Sequence, residues 1–139
     1  MDLAGNGLTS AQTPQDVLAA GRRLTRAVYE YDVPLSLQIE GISAIGLVEL
    51  TANDELMAAN RASGASVQLA YELAKESVRL AVRGNSRQNV STADGTADVL
   101  WAKMGAPLRS LVLQAYAEIH TPRREDVSSF LASRRVTTG

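Results

Sequence analysis

The stretch PLSLQIEGISAIGLVELT, residues 34–51, decides the fold class because apolar residues change there from helical spacing to strand spacing. Over residues 35–40, leucine and isoleucine alternate with polar residues, which indicates a half-buried strand. Gly41 ends this strand, and residues 42–50 are a second strand candidate with Gly46 as a bulge or turn. The sequence predicts a small β-hairpin that must pack on helices or pair with another chain.

Helical patterns lie on both sides of this hairpin. The first predicted helix begins at Thr13-Pro14, which suits a cap and first turn, and ends near Asp32, before Pro34. Five helices are expected after the hairpin. The first begins at Thr51 or Asn53 and ends at Ala62, and the next three cover residues 65–83, 99–103 and 107–120. The last carries Val127, Phe130 and Leu131. Residues 85–96 read as a polar loop.

The predicted class is therefore α+β and mainly α-helical, with several helices packed on one small β-hairpin. A chain of 139 residues has the length of one domain. We expect a flexible amino-terminal arm over residues 1–13, a single domain over 14–135 and a polar tail over 136–139.

Composition argues against several classes of function. The formal net charge is −1, so the chain has no overall footprint for nucleic acid or an anionic membrane. The 12 arginines form clusters, but acidic residues lie among them, which favours solvated or partner-facing helix surfaces over a nucleic-acid surface. The chain has no cysteine, no signal-peptide pattern and no apolar run long enough to span a bilayer, so a cytoplasmic location is expected.

No residue pattern indicates catalysis, a metal or a cofactor. His120 is the only histidine, and its place at a predicted helix end favours a capping or surface role. Glu49, Asp54 and Glu55 gather at a strand–helix junction, where favourable charge at a helix start is a simpler explanation than a metal site. The glycine spacings match no phosphate-binding loop. We therefore expect a protein that is not an enzyme.

The stretch ADGTADVLWAKMGAPLRSLVLQAYAEIHTP, residues 93–122, is the best candidate for either core or docking surface. Its apolar set consists of Trp101, Met104, Leu108, Val112 and Tyr116. Trp101 and Met104 lie nearest the break at Gly105, so these two are expected to be partly exposed. Arg109 can stack on the Trp101 indole or hold a carbonyl of the preceding loop, and the alternative is a solvent-facing arginine.

Four stretches together resemble a known family. They are ELTANDELMAAN (49–60), LAYELAKESVRLAV (69–82), the run from Asp94-Gly95 through Trp101 and Arg109 to Ala115-Tyr116, and TPRREDVSSFLASRRV (121–136). In this order they look like the small tail assembly chaperones of long-tailed bacteriophages, particularly the contractile-tailed, Mu-like group. The resemblance covers roughly residues 34–135, and the predicted helix over residues 14–32 has no counterpart in it.

The resemblance implies a binding protein that holds the helical tape-measure protein soluble while the tail tube assembles. A helical client is bound by an apolar groove with anchors at helical spacing. Such a groove would be lined by Trp101, Met104, Leu108, Val112 and Tyr116, with Arg109 pairing to an acidic client position. The expected partner is the tape-measure protein or another tail protein, with possible homo-oligomers, in the host cytoplasm. The alternative is a structural subunit of a virion or tail-like assembly, whose arm and hairpin pair edge to edge with neighbours.

Overall fold

The computed structural model describes residues 26–137, which form a mixed α+β fold and confirm the predicted class. The strands are β1 (Val28–Asp32), β2 (Ile42–Val48), β3 (Val78–Arg83) and β4 (Ser86–Asn89). The helices are α1 (Ala52–Ala62), α2 (Ser66–Ser77), α3 (Thr96–Lys103), α4 (Ala106–His120) and α5 (Arg124–Ala132). A short 3-10 turn covers Leu35–Leu37. The predicted arm, residues 1–13, and the end of the predicted tail, residues 138–139, lie outside the described part.

The sheet is larger than the single hairpin that the sequence predicted. Its four strands lie in the order β1-β2-β3-β4, and neighbouring strands are antiparallel. Helices α1 and α2 connect β2 to β3, whereas β3 and β4 form a tight hairpin at Gly84, whose φ of +57° suits glycine. Within residues 26–137, β1 and β4 each leave one edge without a partner strand.

Two predicted helices are wrong at their carboxyl ends, where the chain forms strands. Residues 28–32 of the first predicted helix form β1, and its residues 14–25 lie outside the described part. The predicted helix over residues 65–83 ends at Ser77, and β3 follows directly. Both strands carry β-branched or aromatic side chains, and both pair with β2. This pairing is a long-range interaction that the local spacing of apolar residues does not show.

Two shorter predictions are also wrong. Residues 35–40 were expected to form a strand, but after Pro34 the chain makes a 3-10 turn, and Gln38 Nε2 donates to the Val33 carbonyl at 3.1 Å. Residues 86–89, within the predicted polar loop, form β4. The side chains of β4 are all exposed, so this strand has no apolar alternation by which to recognise it.

Several helix boundaries are confirmed. Helix α1 begins with a capping box, in which the Thr51 side chain accepts from the Asp54 amide and the Asp54 side chain accepts from the Thr51 amide. The cap is therefore Thr51 and not Asn53. Helix α4 has Pro107 in its first turn and ends at His120, as the sequence predicted.

The main core lies between one face of the sheet and helices α2, α3 and α4. Its buried members are Val33, Ile42, Ile45, Leu47, Ala74, Val78, Ala81, Val90, Leu100, Met104, Leu108, Val112 and Ala115. A second, smaller buried cluster is formed by Ala44, Leu80 and Val82. The strands β2 and β3 contribute to both clusters, so side chains on both faces of each strand are buried. For this reason neither strand alternates cleanly between apolar and polar residues.

A glycine is expected to be required at position 46, because the neighbouring atoms leave no room for a side chain. A Cβ atom at this position would lie 2.7 Å from Val28 Cγ1 and 2.8 Å from Leu80 Cβ. We expect Gly46→Ala to lower the free energy of unfolding by about 2 kcal/mol in urea denaturation, since overpacking a core has costs of this order. The control is Gly105→Ala, where the nearest atom is 3.7 Å away, so the loss stays below about 1 kcal/mol. Equal losses in the two variants would contradict the close approach.

Candidate partner-binding groove

The structure separates the six residues that the sequence singled out. Met104, Leu108 and Val112 are buried, with exposed fractions of 2%, 4% and 4%. Trp101 and Tyr116 are half-buried at the edge of the same core. The expected partial exposure of Trp101 is thus observed, but that of Met104 is wrong. Met104 ends α3 in an extended conformation, with its amide bonded to the Trp101 carbonyl, and its side chain lies in the core.

Trp101 and Arg109 both act within the chain. The Trp101 ring packs on the Tyr71 ring of α2, with 6.2 Å between ring centroids, which lies in the favourable range for aromatic pairs. Arg109 Nη1 donates to the Met104 carbonyl at 2.5 Å, so it holds a carbonyl of the preceding loop, which was one of the two predicted roles. Arg109 therefore fixes the turn between α3 and α4.

An apolar groove lies between α4 and the strands β1 and β2. Its cavity volume is about 440 Å³. The lining residues are Tyr31, Asp32, Val33, Pro34, Ile45, Leu47, Leu108, Leu111, Val112, Gln114, Ala115 and Glu118. Of the six residues that the sequence singled out, Leu108 and Val112 line this groove, and the other four do not.

Sequence reasoning missed the sheet side of the groove and its most accessible leucine. Ile45 and Leu47 lie on the central strand β2, where both faces are buried, so their spacing alone did not assign them to one surface. Leu111, which lies among the apolar residues of the 93–122 stretch, is 38% exposed. An exposed leucine next to buried Leu108 and Val112 is the residue of α4 best placed to meet a partner.

The rim of the groove carries acidic side chains. The Tyr31 hydroxyl donates to Glu118 Oε1 at 2.5 Å. Burial and the hydrogen bond to Glu118 raise the pKa of Tyr31 to about 12, so the phenol remains a donor at neutral pH. Asp32 lies on the same rim, and within residues 26–137 neither carboxylate forms an ion pair. An apolar groove with this rim suits an apolar segment that carries basic residues.

His120 fixes the far end of α4. Its Nε2 accepts from the Leu50 amide at 2.9 Å, and its Nδ1 lies 2.8 Å from the Tyr116 carbonyl. Both bonds are satisfied together when the ring is neutral with its proton on Nδ1. The imidazole also stacks on the Tyr116 ring, with centroids 4.1 Å apart. His120 thus has the helix-end role that the sequence predicted, and it ties the groove wall to the end of β2.

Two of the three carboxylates at the strand–helix junction, Asp54 and Glu55, lie in the first turn of α1, as expected. Asp54 belongs to the capping box and also accepts from Arg26 Nη2 at 2.8 Å. Burial would raise the pKa of Asp54, but hydrogen bonds from Thr51 and Arg26 outweigh burial and lower it. Within residues 26–137, no group of three or more His, Cys, Asp or Glu side chains is arranged to hold a metal ion.

A network of ion pairs around two buried carboxylates, which no sequence motif indicated, joins α1, α2 and β3. Arg61 bridges two buried carboxylates, at 2.8 Å to Glu72 and 2.9 Å to Glu76. Lys75 pairs with Glu72, and Arg79 pairs with Glu76. Burial would raise the pKa of Glu72, but hydrogen bonds from Arg61 and Lys75 outweigh it and lower the pKa. Because the charges are compensated, removal of one partner would leave an uncompensated charge in the network.

Comparisons of the chain with family models, with curated proteins and with solved structures found no match. Within the part of the chain that the structure describes, no helix is both long enough and apolar enough to cross a membrane.

Proposed function

We propose that this chain is a tail assembly chaperone of a long-tailed bacteriophage, and that it binds the helical tape-measure protein through the α4–β1–β2 groove. The observation that carries the proposal is the groove itself, which lies on α4 within the part of the sequence that resembles this family. The role is binding without catalysis, and it is exercised in the host cytoplasm.

The shape of the groove favours anchors over a whole helix. A volume of about 440 Å³ accommodates a few side chains, whereas a helix with its side chains is about 10–12 Å across. A client helix therefore lies along the surface and inserts apolar side chains spaced three or four residues apart. Such side chains would contact Leu111 and reach Leu108 and Val112 below it.

The rim defines the charge of the client. Asp32 and Glu118 border the apolar floor, so a lysine or arginine beside the client's anchors gains a favourable interaction there. The expected pairing of Arg109 with an acidic client position is less favoured, because Arg109 already donates to the Met104 carbonyl. Exposed rim charges mainly accelerate binding, which suits a chaperone that must later release its client.

The Leu111→Glu variant tests this proposal. We expect co-expression of the chain with the tape-measure protein of the same phage to give a soluble complex, and Leu111→Glu to weaken that complex at least tenfold. The substitution places a charge in the apolar groove, next to two existing carboxylates. Copurification followed by titration calorimetry measures the effect.

The matched control is Val67→Glu, a similar change at an exposed valine on α2 away from the groove. We expect this variant to bind the client as the parent does. Two proteins that elute separately would overturn the chaperone proposal. If both variants bound the client equally well, the groove would not be the binding site for the client.

The alternative function is a structural subunit of a virion or tail-like assembly. The observation in its favour is the pair of open sheet edges within residues 26–137, at β1 and at β4, through which neighbouring copies can add strands. This alternative requires multiple copies in purified particles, which mass spectrometry of those particles measures. A chaperone is expected to be absent or nearly absent from the same particles.

A further inference from the structure

Helix α5 exposes an apolar stripe that no other described element covers. Val127, Phe130 and Leu131 are spaced as one helix face, and their exposed fractions are 41%, 76% and 65%. Every residue of α5 is exposed. An exposed phenylalanine beside an exposed leucine and valine is typical of a surface that meets a partner.

The local features of α5 do little to stabilise it. It has nine residues, and isolated helices of this length are marginal in water. Its cap residue, Arg123, makes no side-chain capping bond, and the exposed ion pair between Arg123 and Asp126 is of a kind that adds little. A helix with these properties gains most of its stability from packing, so we expect the stripe to pack against another surface.

The α4–β1–β2 groove has the complementary character. It offers an apolar floor and the rim carboxylates Asp32 and Glu118. Arginines flank the stripe on both sides, at Arg123-Arg124 and at Arg134-Arg135. These four arginines exceed the two nearby carboxylates, Glu125 and Asp126, so the surplus charge around the stripe is positive and opposite in sign to the rim.

None of the stripe residues borders the groove of its own chain. Only residues 121–123 separate α4 from α5, and the first turn of α5 lies past the end of α4, where Arg123 and Asp126 border a cleft with His120 and Tyr29. Within residues 26–137, the apolar surface that this chain can itself offer to the groove is therefore the same stripe on another molecule.

We propose that α5 of one copy docks its Val127–Phe130–Leu131 stripe in the α4–β1–β2 groove of a second copy. The chain then self-associates through two different surfaces of each molecule, which gives either a reciprocal dimer or an open chain of copies. This inference rests on the groove and the stripe, and it requires no client.

The test uses the purified full chain and two variants, each of which disables one surface. Leu111→Glu disables the groove, and Phe130→Glu disables the stripe; both positions are exposed, so the fold is retained. In sedimentation velocity, we expect the parent chain to self-associate and each variant alone to do so at least tenfold more weakly. Mixing the two variants restores a complex containing both, because one intact groove meets one intact stripe.

Controls keep the result decisive. Val67→Glu is expected to associate like the parent. Gln114→Arg is a second groove variant, at an exposed rim position. It places a cation against the arginines of α5, which disfavours docking of the stripe. A parent chain that stays monomeric would overturn the proposal, as would groove or stripe variants that associate normally, or a mixture of Leu111→Glu and Phe130→Glu that stays monomeric. Client binding can fail while self-association persists, so the two proposals are separable.

Discussion

Glu76→Ala is expected to lower the free energy of unfolding by about 3 kcal/mol, because it removes a buried carboxylate and leaves its cationic partners in place. Glu76 is 4% exposed and accepts from Arg61 Nη2 at 2.9 Å and from Arg79 Nη2 at 3.0 Å. Thr92 also donates to it, at 2.6 Å. The two guanidinium groups are partly exposed, so water relieves part of the penalty, which places the loss at the lower end of the usual range.

Thermal and urea unfolding measure this loss, which corresponds to a fall of roughly 10 °C in the midpoint. The matched control is Lys103→Ala, which breaks an ion pair with Glu40 whose two side chains are both about half exposed, and we expect at most about 0.5 kcal/mol there. If Glu76→Ala lost no more than Lys103→Ala, the arginines would have found other partners and the network would not depend on Glu76. The variant Glu76→Gln is expected to fall between the two.

The network shows why part of the fold was beyond sequence reasoning. Glu72, Lys75 and Glu76 lie on a helical pattern that reads as an ordinary charged face. Glu72 and Glu76 are buried with a partner in Arg61 on α1, which reaches both carboxylates only after α1 packs on α2. A pairing between two helices depends on tertiary structure, and no local spacing in a single sequence encodes it.

Local signals placed most helix starts correctly and failed where strands form at helix ends. Thr51 and Pro107 mark two helix starts through hydrogen bonding and backbone geometry that act within one turn. The segments 28–32 and 78–83 are strands because β2 lies between them and pairs with both. An apolar run such as residues 78–82 fits a buried helix and a buried strand equally well, so the spacing alone could not decide.

The candidate site was predicted in part. Leu108 and Val112 line the groove as predicted. The prediction took all of its residues from the 93–122 stretch, but the groove lies between a helix and a sheet. Half of its lining residues therefore come from the segment 31–47, which is distant in sequence. Trp101 was expected to line the groove, but it does not border it, and its ring packs on Tyr71. The exposed stripe on α5 was visible in the sequence as Val127, Phe130 and Leu131, but its lack of cover was not.

Leu108→Ala is expected to destabilise the chain by about 3 kcal/mol, although Leu108 also lines the groove. Leu108 is 4% exposed and belongs to the main core, and truncation of a buried leucine removes its transfer energy and leaves a cavity. Leu111, one turn further along α4, is 38% exposed, so Leu111→Ala is expected to lose less than about 1 kcal/mol. Urea unfolding of the two variants measures both values.

The same pair of leucines separates stability from binding. If α4 has both functions, Leu108→Ala weakens both the fold and the binding, because Leu108 belongs to the core and also lines the groove floor, whereas Leu111→Ala keeps the fold and binds severalfold more weakly. Titrations at low temperature, where both variants are folded, isolate the contact from the stability. A Leu111→Ala chain that binds normally would assign this face of α4 to the core alone, and a Leu108→Ala chain as stable as the parent would contradict the burial of that leucine.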